Sequence, residues 1–264
     1  MIFCPLYSGS SGNCAYVSDG KTGILIDAGL SGKQIVDALA QIGVLPETLS
    51  GIVITHEHSD HVKGAGILSR RFHLPIYANE GTWRGMAHQL GSVPPNLVRM
   101  FETGSDFYID GLAVHPFAIP HDANEPVGFR VYAGARSVAT ATDMGYVRKD
   151  VLEELRRADM VLFESNHDPD MLLRNPHYSS ALKQRILGRN GHLSNESCGL
   201  GICDLADREV RHVILGHLSG ENNTPELAMD TSLDILSREG ITPNQDVCLY
   251  MAWRDHVGQS YTID

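Results

Sequence analysis

The segment Thr55-His56-Glu57-His58-Ser59-Asp60-His61 sets three imidazoles and the carboxylate of Asp60 within six consecutive positions, directly after the apolar run Gly51-Ile52-Val53-Ile54-Thr55. That run is short and β-branched, so it reads as a buried strand that ends where the polar cluster begins. Residues two apart near a strand end project to one side, which lets His56 and His58 converge on a single ion. Asp60 and His61 follow as the chain turns, and their different direction could serve a second, adjacent ion. Imidazole and carboxylate suit zinc, manganese or iron, whereas a pure thiolate set would have argued for a structural zinc or an iron–sulfur cluster. The plainer alternative is a polar turn whose histidines cap the next helix. It would leave a dense group of titratable side chains without partners after a buried strand, which is costly.

Other segments extend this pattern: Ile24-Leu25-Ile26-Asp27-Ala28-Gly29, Pro120-His121-Asp122, Ala141-Thr142-Asp143-Met144-Gly145 and Gly216-His217-Leu218-Ser219. With H-x-H-x-D-H they make the chain resemble the metallo-β-lactamase fold superfamily along nearly its whole length. Within it, the closer resemblance is to the WalJ (also called YycJ) type of metallo-hydrolase. The residues that carry this are Ser8-Gly9-Ser10-Ser11-Gly12-Asn13, Glu164-Ser165-Asn166-His167-Asp168, Gly191-His192-Leu193-Ser194-Asn195 and the run from Gly216 through Asn222-Asn223-Thr224-Pro225.

The resemblance implies roles residue by residue. His56, His58 and His121 would bind one divalent ion, Asp60, His61 and His217 a second, and Asp143 would bridge both. The ions would be zinc or manganese, with iron as a further option. Asp27 would accept a hydrogen bond from a ligand imidazole; alternatively it is only a turn residue, as its neighbours Ala28 and Gly29 suggest. Asp60, Glu164 and His192 are the expected catalytic residues, with Glu164 holding His192 as an imidazolium that protonates the leaving group. His167, Ser194, Asn195, Asn222 and Asn223 are candidates for binding substrate, and His167 could equally approach a metal or sit in its loop. His121 is preferred to His115 as the third ligand, because His115 lies inside the strand-like Leu112-Ala113-Val114-His115-Pro116-Phe117. His73, His88, His212 and His256 match no motif and are expected at the surface or in packing.

Strands are expected near 2–7, 14–18, 23–27, 51–55, 75–78, 97–101, 112–118, 127–133, 137–141, 159–164, 211–216 and 246–251, and helices near 32–42, 63–72, 80–90, 148–157, 178–189, 194–206 and 224–238. Ser31 and Thr224-Pro225 supply helix-start signals. Periodicity alone supports an α/β or α+β class. The resemblance implies the specific α+β form, an αββα sandwich of two mixed β-sheets flanked by helices. One domain over 1–264 is expected, since the motifs run from residue 8 to 225 with no linker-like stretch between them.

The N-terminus lacks a basic stretch followed by a long apolar core, and no apolar run approaches membrane-spanning length. The five scattered cysteines suit reduced thiols. Together these features predict a cytoplasmic protein without a membrane partner. Cys198 and Cys203 are expected in core packing rather than as a metal pair. The net charge of −11 argues against nonspecific adhesion to polyanions. It leaves room for a cleft that concentrates cations, for which Arg174, Lys183, Arg185 and Arg189 are candidates, or these four form an ordinary solvated helix face. The resemblance points to a phosphodiesterase, an exonuclease with DNA as substrate, working by attack of metal-bound hydroxide. Alternatives are hydrolysis of a small cyclic phosphodiester and, less well matched, a thioester hydrolase of the glyoxalase II kind. A regulatory protein with a vestigial metal fold would have lost ligands, and none is missing. Oligomeric state is not legible in the sequence.

Overall fold

Alternation along single strands dictates the architecture. In β3 (Gly23–Ile26), Ile24 and Ile26 join one hydrophobic cluster and Leu25 another. In β11 (Met160–Glu164), Met160 and Leu162 share that first cluster with the β3 isoleucines, while Val161 and Phe163 enter a third. Successive side chains of a strand point to opposite faces. Strands buried on both faces therefore build one core between two sheets and one on the far side of each.

The computed structural model describes residues Met1 to Asp264. One sheet has the order β14-β1-β2-β3-β4-β5-β6, built from Tyr261–Thr262, Ile2–Tyr7, Cys14–Ser18, β3, Leu49–Val53, Ile76–Ala78 and Val98–Met100. The other runs β13-β12-β11-β10-β9-β8-β7, from Cys248–Met251, His212–Gly216, β11, Arg136–Ala141, Val127–Ala133, Leu112–Ala118 and Phe107–Ile109. Each sheet is antiparallel on one side and parallel on the other, the change falling at β3 and β10. Parallel neighbours need long crossovers, usually helical, and these supply the outer layers. Helices α1 (Gly32–Gln41), α3 (Ala65–Phe72) and α4 (Glu80–Leu90) cover the first sheet through Ile35, Leu39, Leu68 and Met86. Helices α5 (Lys149–Leu155), α8 (Asn195–Asp207) and α9 (Pro225–Arg238) cover the second through Leu152, Ile202 and Leu236. The result is the αββα sandwich of two mixed sheets.

The start signals act as expected. Ser31 forms a capping box with Gln34, and the Thr224 hydroxyl accepts from the Leu227 amide with Pro225 in the first turn. Cys198 is fully buried in the outer core under α8 and Cys203 packs against it, the packing positions expected of them. Some boundaries differ. The expected strand 51–55 is β4 at Leu49–Val53, because the Thr55 amide turns to donate to Asp27 rather than to a neighbouring strand. The expected helix 63–72 is preceded by a separate turn, α2 (Ser59–Val62), and begins only after Gly64. Helix α6 (Pro169–Arg174), β7 and β14 were not anticipated, being only two to six residues long. Helix α7 spans Ser180–Leu187, shorter than expected, and buries none of its residues.

Candidate metal centre

Strand ends from both sheets open onto one edge of the sandwich, and the donor-bearing motifs of the sequence end there. Asp27 follows β3, His56 and His58 follow β4, His121 follows β8, Asp143 follows β10 and His217 follows β12, while Glu164 closes β11. Asp27, Asp143 and His217 all have left-handed backbone, with φ of 61°, 62° and 55°. Such a conformation costs a non-glycine residue about 1–2 kcal/mol. Its use at three convergent residues fits strain held at a functional site. Gly29 is required for close approach: a Cβ there would lie 1.6 Å from the Asp60 carbonyl oxygen.

The structure brings two sets of donor atoms together, His56, His58 and His121 in one and Asp60, His61 and His217 in the other. Asp143 lies between them. Its oxygens are 3.4 Å from His61 Nε2, 3.7 Å from His121 Nε2 and 3.4 Å from His217 Nε2. His56 Nε2, His217 Nε2 and Asp143 Oδ2 are buried yet have no hydrogen-bond partner. Buried polar atoms are otherwise almost always paired, so these three inward-facing donors and acceptors fit divalent cations.

Around the donors lies a ring of supports. Asp27 Oδ2 accepts from His61 Nδ1 at 2.7 Å, and both Asp27 oxygens accept from Thr55. Glu164 Oε1 faces two rings at once, 2.8 Å from His192 Nδ1 and 3.0 Å from His217 Nδ1. Its Oε2 accepts from the Met144 amide at 2.6 Å. The Ser8 hydroxyl accepts from the His217 amide, and Asn166 donates to the His217 carbonyl. Asn13 Nδ2 is 3.1 Å from His61 Nε2. Ser8, Asn13 and Asn166 fall inside the motif segments, but a short polar side chain carries no sequence mark of the atom it will touch.

The charges are mutually set. Burial pushes His61 down, but Asp27, Asp143 and Asp60 outweigh it and raise the ring to about 9. Burial likewise opposes the charge of His217, which Asp143 and Asp60 nevertheless raise well above the usual value. His56 is driven well below it, first by burial and then by the neighbouring imidazoles. Glu164, despite burial, is held well below the usual carboxyl range by His192 and His217, and Glu164 in turn raises His192 against its own burial.

The other candidate residues take positions outside the donor sets. Ser194, Asn195, Asn222, Asn223 and His167 do not line the cleft in front of the donors. Ser194 caps α8 through the Ser197 amide. Asn195 and Asn223 exchange side-chain hydrogen bonds at 2.8 and 2.9 Å, and Asn223 also holds the Ser165 and Asn166 carbonyls. Asn222 accepts from Asn175. His167 is buried with both ring nitrogens unpaired and is pushed down to about 4 by burial. No phosphate-tracking strip forms either. Arg174 pairs with Asp170, Lys183 donates to the Leu173 carbonyl and Arg189 lies over the Tyr146 ring, leaving only Arg185, itself bound to Asp122, at the cleft. His115 sits between Asp106 and Glu154, away from the donors. The cleft encloses about 430 Å³.

Comparison with known proteins gives the family and the fold. The family model described as "Beta-lactamase superfamily domain" matches residues 22–218. The chain is 40% identical over 238 residues to "Exodeoxyribonuclease YycJ" of Bacillus anthracis, covering 90% of each chain. It is 40% identical over 247 residues to "Exodeoxyribonuclease WalJ" of Streptococcus pneumoniae serotype 2, covering 93% of this chain and 91% of that one. Among solved structures it resembles Zn2+-bound PqqB from Methylobacterium extorquens, with a TM-score of 0.75, 20% identity and full coverage of both chains. Unliganded yeast PDE1 superposes with a TM-score of 0.70 at 13% identity over 97% of this chain and 99% of that one. At these identities the two structures speak to the fold alone.

Proposed function

The chain belongs to the β-lactamase superfamily, and from that we propose that it is a DNA exonuclease working with two divalent ions, zinc or manganese. One observation carries the reading: two three-residue donor sets flank a single buried carboxylate, Asp143, with unpaired nitrogen and oxygen atoms turned inward. His56, His58 and His121 would hold one ion, Asp60, His61 and His217 the other, and Asp143 both. Bound there, such ions supply positive charge for phosphate oxygens and make water acidic enough to act as a nucleophile near neutral pH. The 40% identity to two exodeoxyribonucleases supports DNA as the substrate class.

The chain's own residues divide the remaining work. Asp27 fixes the tautomer and orientation of His61 by accepting a hydrogen bond from Nδ1–H, as carboxylates behind metal-binding histidines do. Glu164 does the same for His217 and holds the proton of His192 Nδ1. His192 lines the cleft, and with Nδ1 engaged, Nε2 is the nitrogen free to give a proton to the departing oxygen. The same cleft would hold a small cyclic phosphodiester, since about 430 Å³ is room for one such ligand.

The test is metal analysis of protein purified without chelator, followed by digestion of end-labelled linear DNA, closed circular DNA and cyclic nucleotides. Two ions per chain and digestion of linear DNA alone are expected. Saturation at one ion would sink the dinuclear site, and turnover confined to cyclic nucleotides would replace the substrate.

A further inference from the structure

We propose that Tyr178 is the platform on which the terminal base of the DNA end stacks, which makes it the residue that selects an unpaired end nucleotide; this rests on the exonuclease reading. Most residues lining the cleft are polar, Ser10, Ser59, Asn166 and Ser219 among them beside the histidines and carboxylates. Its three apolar side chains, Tyr178, Leu182 and Ile186, all come from α7 and the loop before it. Leu182 and Ile186 lie one helical turn apart and so share a face. The core does not use them, because α7 buries no residue. The Tyr178 ring is half-buried.

A nucleotide is amphipathic in the same sense as this cleft. Its phosphate belongs with the ions' residues and its base has two apolar faces that need a flat partner. Tyr178 offers that partner beside the donor sets, and Arg185, on the same helix face as Leu182 and Ile186, places a cation next to it. A cleft of about 430 Å³ is the size of a single-ligand site. That volume suits one nucleotide, and stacking on Tyr178 would require the end base to leave its own stack before the bond is cut, as in other enzymes that act on single nucleotides of a duplex.

The test pairs the residue with the base it would touch. With a short single-stranded oligonucleotide, Tyr178→Ala should raise KM about ten- to a hundredfold, the usual range for removing a base–aromatic stack, with little change in kcat. Tyr178→Phe should restore KM. An oligonucleotide whose attacked terminal residue is abasic should show the raised KM with the wild-type protein, and Tyr178→Ala should then add less than about threefold. Equal losses on both ends, an unchanged KM in Tyr178→Ala, or no abasic effect in the wild type would overturn the platform while leaving the exonuclease standing. A wild-type protein that digests no DNA with any divalent ion would remove both.

Discussion

Glu164 is a single carboxylate set to two tasks, the proton on His192 and the aim of His217. His192→Ala should therefore keep both ions but slow cleavage by about two to four powers of ten, with a smaller loss on a nitrophenyl ester whose leaving group needs no proton. Glu164→Gln should do more than weaken that acid. By loosening His217 it should also lower metal affinity about 10- to 100-fold, which metal titration of the variant measures. Unchanged affinity would confine Glu164 to proton transfer. His61, together with His217, sets the pH dependence of loading. The ion-free pKa of His61, about 9, lies above the usual 6.5, so at neutral pH the ring carries a proton that an ion must displace from Nε2. Metal affinity should rise with pH, by up to about tenfold per unit for the His61 proton and more steeply where the raised His217 also gives one up. The same raised value stabilises the ion-free fold fully below 6.5 and is lost as pH climbs through 9. Calorimetric titration in buffers of different ionisation enthalpy reads the released proton. The residues of this network were legible where type and order mark them, as with His121 in Pro120-His121-Asp122 against His115 in its strand. Asn13 and Asn166 were not, because their partners lie dozens of positions away in sequence.

Helix α7 is the element whose sequence and setting diverge most. Its residues read as an ordinary helix near 178–189, and they form one at Ser180–Leu187, capped by Ser179. What the sequence does not carry is that no other element covers it. It is tied down by Lys183 to the Leu173 carbonyl and Arg185 to Asp122, contacts at the surface. Its amides should exchange with openings of about 0–3 kcal/mol, while those of α8, packed through Cys198, Ile202 and Leu205, should approach global unfolding. Equal protection of the two helices would contradict this. Long strands such as β8 and β9 were legible from alternation, whereas β7 and β14 exist only because β8 and β1 pair with them. Short segments of that kind have no periodicity of their own.

At the scale of the whole molecule, the sandwich follows from strands that feed different cores with alternate residues, which a run such as Ile24-Leu25-Ile26 announces only as continuous apolarity. The surface carries an excess of acid, −11 overall, and a single arginine lines the cleft. DNA affinity should therefore fall only gently with salt, with a log–log slope of about −1 rather than the steep values of proteins that neutralise many phosphates. A slope beyond about −4 would mean a basic track elsewhere on the surface. The order of the motifs along the chain adds a dimension of time. His56, His58 and His121 are made first, and His217 follows roughly a hundred residues later, about 5–20 s at ordinary rates of synthesis. For that interval the growing chain carries one set of ligands complete and the other only as Asp60 and His61, so the two halves of the site are finished at different ages of the same molecule.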